Sequence, residues 1–164
     1  MIVRRLREDE AALFKTLRLR ALAEAPDAFA RTHAEISAKP DAYWQEMTRS
    51  VIEPGRHAMF VAEADGAPVG LAFGLMDGER ATRAPLGGMW VDPGARKRGI
   101  GRALSAAVIA WARERGFADI VLWVTEGNRA ALTLYEGQGF TLTGRRDRLP
   151  HNPDLAILEM EQSL

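Results

Sequence analysis

Cysteine is absent from the 164 residues, which excludes disulfides, thiolate metal sites, thiol redox switching and a cysteine-bound acyl intermediate together. An excess of one charge is also lacking. The 22 Lys and Arg balance 22 Asp and Glu, so no chain-wide field draws the protein to nucleic acid or to an anionic membrane. No apolar run approaches membrane-spanning length. The first ten residues hold Arg4, Arg5, Arg7, Glu8, Asp9 and Glu10 in place of the apolar stretch of a secretory leader, and the expectation is a cytoplasmic protein. Histidine is scarce. His33, His57 and His151 stand at no metal-ligand spacing, so no metal site is predicted. Trp44, Trp90, Trp111 and Trp123 are scattered over different segments, as core residues are, and form no base-stacking platform.

What is present is an ordinary globular composition, 47% apolar and 27% charged, at a length that suits one core. No repeat or linker divides residues 1–164, which are read as a single domain. Residues 2–6 read as a strand. A helix follows, with Leu13, Leu17 and Leu22 on its apolar side and Asp9 as its cap. A loop with Thr32, His33 and Glu35 leads to a second helix over 41–50. Residues 57–64 and 68–76 flank an Asp65-Gly66 turn and read as a hairpin, and a further strand over 86–91 is stopped by Asp92-Pro93-Gly94. Residues 101–115 have helical periodicity with Gly116 at the C-terminal cap. A buried strand over 120–124, a short helix over 128–138 closed by Gly139, and strands over 140–146 and 155–161 complete the chain.

Chemistry concentrates in the run from Val91 to Arg102, where a strand end, a basic glycine-containing turn and a helix start follow one another. Gly99 and Gly101 let the main chain approach a ligand, and the first amides of the helix have no intrahelical acceptor. Arg96, Lys97, Arg98 and Arg102 add cations, a combination suited to a pyrophosphate. A dinucleotide fingerprint is disfavoured because Leu104 stands where its third glycine belongs, and Asp119 precedes its strand where a ribose-binding acid would follow one. A P-loop is disfavoured because Ile100-Gly101 follows Gly99 where Lys and Ser or Thr would stand.

Arg96-x-x-Gly99-x-Gly101 after a strand ending at Val91, Asn128 and Tyr135 further on, and Gly137-x-Gly139-Phe140 closing the second helix together resemble the acyl-CoA-binding core of the GNAT superfamily of N-acetyltransferases. The resemblance implies a single-domain α/β (α+β) fold: a mixed, mostly antiparallel sheet of about seven strands, flanked by about four helices and splayed between its fourth and fifth strands. It implies that Met89, Trp90 and Val91 pair with the pantetheine arm, that Val91 offers its amide to the acetyl oxygen, and that Arg96, Lys97, Arg98, Gly99, Ile100, Gly101 and Arg102 wrap the pyrophosphate. Asn128 would orient pantetheine, and Tyr135 would contact the cofactor and act as general acid. For the base, Glu35 in the loop walling the substrate site is the first choice, with Glu79, His151 or a held water as the others. The implied reaction is direct transfer from acetyl-CoA, without metal, to a primary amine of a small molecule or peptide. The alternatives are a protein N-terminus or lysine as acceptor, or a noncatalytic acyl-CoA sensor. Homodimerisation is a further implication.

Overall fold

The computed structural model describes residues 1–76 and 82–164; Glu79, one of the base candidates, lies outside the described residues. Seven strands form one sheet in the order β1-β2-β3-β4-β5-β7-β6, where β1 is Ile2–Arg5, β2 Ala58–Ala64, β3 Ala67–Gly74, β4 Arg83–Val91, β5 Asp119–Thr125, β6 Thr141–Leu149 and β7 Asn152–Ser163. Helices α1 (Ala11–Glu24), α2 (His33–Ser37) and α3 (Asp41–Val51) precede the β2–β3 hairpin, α4 (Ile100–Glu114) follows β4, and α5 (Arg129–Glu136) follows β5. Among the described residues no helix is long and apolar enough to cross a membrane.

Local chemistry explains most of the boundaries. Asp65 and Gly66 both adopt positive φ, 54° and 77°, as a tight hairpin turn between right-twisted strands requires. Gly116 closes α4 at φ 77°, and the Phe117 N–H reaches back to the Ala112 carbonyl at 3.1 Å. Gly74 has no Cβ because Trp111 of α4 lies there; an added Cβ would fall 2.4 Å from the indole. Two expectations are corrected. Asp9 does not cap α1 but sits in a 3-10 turn, Glu8–Glu10, where the Glu10 carboxylate accepts the Arg7 N–H at 2.9 Å and pairs with Arg4 at 2.8 Å. The segment read as a loop around Glu35 contains α2, begun by a Thr32–Glu35 capping box.

The sheet separates two apolar cores. One lies under α4 and contains Leu104, Val108, Trp111, Ile120, Tyr135 and Phe140. The other, under α1–α3, contains Phe14, Leu17, Trp44, Val61, Leu71 and Trp90. Among the described residues only β4 and β5 run parallel, and they pair through Arg83–Pro85 against Asp119–Val121. Beyond that point β4 continues along β3 and β5 along β7, so the two strands part as expected between the fourth and fifth.

Candidate active site

Among the described residues, the parting strands leave the β5-facing edge of β4 without a partner strand from Leu86 onward. A bulge accompanies this. Leu71 pairs with Trp90 but Phe73 pairs with Gly87, so Gly88 and Met89 together oppose Ala72. Gly88 has φ 60°, and a Cβ there would meet the Phe73 ring at 2.0 Å, so only glycine fits the bulge. The Asp92 N–H reaches the Val69 carbonyl at 2.8 Å. Because bonded pairs alternate along an antiparallel ladder, Trp90 turns its main chain to β3 while Val91 turns its N–H and carbonyl into the gap. Of the expected trio, Trp90 therefore has its backbone committed to the sheet. Its indole donates to Glu24 at 2.9 Å.

The turn after β4 is built to expose amides. Asp92 accepts the Gly94 N–H at 2.9 Å, Lys97 adopts φ 61°, and Gly99 at φ 80° is the N-cap of α4. Among the described residues no backbone acceptor takes the N–H groups of 97–102; the first helical bond runs from Ala103 to the Gly99 carbonyl at 3.0 Å. The sequence assigned four cations to this turn, and the structure divides them. Arg96 donates through Nε to the Val91 carbonyl at 3.0 Å and through Nη2 to Glu24 at 2.5 Å, tying the end of α1 to the end of β4. Arg98 pairs with Asp65 at 2.8 Å on the surface. Arg102 donates to the Gly137 carbonyl at 3.1 Å, joining the start of α4 to the end of α5. Lys97 has no ion pair among the described residues. For the Glu24 carboxyl, burial pushes the pKa up, but the bonds from Arg96 and Trp90 outweigh it and hold the group below the ordinary value.

A cavity of about 540 Å3 runs from this turn along Met89–Val91 to Asn128 and Leu134, and a smaller one of about 110 Å3 continues between β4 and β5 to Tyr135. Arg96, Lys97, Gly99, Ile100, Gly101 and Arg102 line the first. Asn128 lines both and also caps α5, its side-chain oxygen accepting the Ala131 N–H at 3.2 Å. Tyr135 is buried against Phe140, with ring centroids 5.6 Å apart, and burial pushes its phenol pKa well up. The phenol therefore keeps its proton at neutral pH.

The structure does not bring Glu35 to this gap. Its carboxylate accepts the Thr32 N–H at 2.8 Å on an exposed helix start, and that bond holds it below the ordinary carboxylate range. His151 is likewise spoken for: its Nε2 lies 2.8 Å from the Phe29 carbonyl and 3.1 Å from that of Pro26, fastening the 26–29 segment across the mouth of the gap. Thr125 holds the same segment through a 2.6 Å bond to the Asp27 carbonyl. Neither these tethers nor the Glu24 link carries a sequence signal, because each joins residues more than sixty positions apart.

The profile of the Acetyltransferase (GNAT) family matches residues 19–140. The chain belongs to the GNAT acetyltransferase family. A mycothiol acetyltransferase from Thermobispora bispora is 33% identical over 139 residues, 82% of this chain and 43% of that protein, so the chain spans less than half the length of this relative. The ribosomal-protein-alanine N-acetyltransferase of Brucella melitensis shares the fold over the whole of both chains, with TM-score 0.81 at 24% identity. A Salmonella typhimurium acetyltransferase solved with its cofactor acetyl-CoA does so with TM-score 0.77 at 19% identity, over all of this chain and 94% of that one. The free amides of 97–102 beside a groove without bulky walls at Gly99 and Gly101 suit a diphosphate there.

Proposed function

We propose that this GNAT acetyltransferase moves the acetyl group of acetyl-CoA directly to a primary amine of a small molecule or peptide, both held at once. The observation that carries the reading is the parting of β4 from β5, which makes one passage from the amide-rich turn to the Tyr135 phenol. Acetyl-CoA supplies the acetyl group as a thioester.

Each step has a residue suited to it. The amides of 97–102 and the Lys97 ammonium hold the diphosphate, with Arg96 as a strut behind the turn. The Val91 N–H faces the gap and donates to the acyl oxygen as negative charge develops there. Asn128 fixes the arm at the entrance to the gap. Tyr135 gives its proton to the departing sulfur. The burial that raises the phenol also destabilises a free thiolate in the same gap, so the two proton affinities rise together. None of the described residues lining the β4–β5 gap is a carboxylate, so the proton lost by the ammonium leaves through water, and the proton shed by the nitrogen as the amide forms restores the Tyr135 phenol.

The test is thiol release from acetyl-CoA in the presence of a broad panel of amines. Amine-dependent release with an acetylated product supports the reading. Tight CoA binding with no amine-dependent release identifies a sensor instead.

A further inference from the structure

A second cavity, of about 630 Å3, lies under α1, α2 and α3 against β3 and β4. Arg18 of α1 forms part of its wall. Its guanidinium makes no ion pair or hydrogen bond among the described residues, and Nη1 is sealed from solvent with no acceptor. Its Cζ lies 4.7 Å from the centroid of the Phe29 ring, and Tyr43 nearby favours the charged form. Burial lowers the Arg18 pKa to about 10, which still leaves a cation at neutral pH. A guanidinium in that position is costly and is ordinarily paired.

The other polar groups of the cavity can also donate, among them the Tyr43 and Ser50 hydroxyls, which can accept as well. Trp44 Nε1 is buried without an acceptor. His57 accepts the Met76 N–H at Nδ1, 3.1 Å away, so its neutral ring carries the proton on Nε2; burial, the largest influence on it, favours that neutral form. Arg31 stands at the exposed rim. No carboxylate is found among the described lining residues, and the remaining wall is apolar, with Phe14, Ile36, Met47, Val51 and Phe73.

This cavity adjoins the β4–β5 gap through two rings. Phe29, beneath the Arg18 guanidinium, also lines the gap. Phe73 lines the cavity and lies against Gly87 and Gly88 of the gap, whose added Cβ atoms would fall 2.7 and 2.0 Å from the ring.

We propose that the cavity is an acceptor subsite in which Arg18 binds a carboxylate of the amine substrate, an apolar amino acid or short peptide, while the amine reaches the gap beside Gly87 and Gly88 once the Phe73 ring turns aside. The inference rests on the acetyl-transfer reading above. A singly charged carboxylate on an apolar body matches one deep guanidinium among aromatic and aliphatic walls, and Arg31 at the rim attracts it.

The experiment compares apolar amino acids and dipeptides with their C-terminal amides as acceptors, in the native protein and in Arg18→Met. The free acids are expected to exceed the amides in kcat/KM by about tenfold or more, through KM, and Arg18→Met to erase that preference. Amides used as well as acids, or a preference that survives Arg18→Met, overturns the proposal. Titration of the same acids and amides, followed by tryptophan fluorescence, supplies a readout independent of turnover. Saturable quenching by acids alone, lost in Arg18→Met, is expected; no quenching by any acid overturns the proposal. Acid binding that depends on Arg18 without acetylation of any amine would refute acetyl transfer and leave the anion subsite standing. If Arg18→Met does not fold, Arg18→Lys replaces it and is expected to weaken the preference, since a lysine cannot make the two parallel bonds of a guanidinium to a carboxylate.

Discussion

Tyr135 is the residue on which chemistry and packing meet most closely. Its hydroxyl makes no hydrogen bond among the described residues and its ring is held by Phe140, so Tyr135→Phe removes the proton with little disturbance of the core. Turnover is predicted to fall by about 100-fold or more while the affinity for CoA, measured by calorimetry, changes less than about threefold. A wild-type rate would remove the acid from the account. Arg18 makes the opposite prediction for stability. Its half-buried cation has no counter-charge among the described residues, so Arg18→Met is expected to leave the thermal midpoint unchanged or raise it, read by scanning calorimetry without ligand. Tyr135 was legible in the sequence because it belongs to a spaced motif. Arg18 was not, since an arginine within a helix reads as a solvated side chain until the elements that bury it are in place. Glu35 shows the same limit from the other side: an acid near a substrate wall looks like a base, whereas Thr32 three residues earlier makes it a helix cap.

At the scale of elements, the turn between β4 and α4 is where a small change should act on binding alone. A Cβ at Gly101 would lie 3.3 Å from Leu134 and 3.8 Å from Val91, across the groove that the cofactor would enter. Gly101→Leu is therefore predicted to weaken CoA binding by about tenfold or more while the far-UV circular dichroism is retained, a fold change worth about 1.4 kcal/mol. The glycine pattern and the helix start made this turn readable from sequence. The widening between β4 and β5 was supplied by the family resemblance, because residues 83–85 and 86–91 of one strand differ in partner, which no periodicity reports. Helix α2 escaped because five residues are too few to show a helical period.

At the scale of the molecule, charge couples the tethers to pH. The bonds from Arg4 hold the Glu10 carboxyl below its ordinary value of 4.5, and those from Arg96 and Trp90 do the same for Glu24 against the effect of burial. Each folded-state pKa lies below its unfolded counterpart, so the stabilisation is complete above the ordinary value and is lost as the pH falls below it. The thermal midpoint is predicted to start falling below about pH 6.5, where burial keeps His57 neutral in the folded protein, and to drop further below about pH 5, with a shallower acid drop in Glu10→Gln. A midpoint that rises on acidification would contradict this. The seven-strand sheet and its two cores give the amide-rich turn a fixed place beside the gap, and every functional assignment depends on that turn holding the diphosphate of coenzyme A. Calorimetric titration with CoA beside pantetheine, which carries the same thiol arm without the nucleotide diphosphate, tests this most directly. The account predicts that CoA binds at least about a hundredfold more tightly; equal affinity for the two would contradict it.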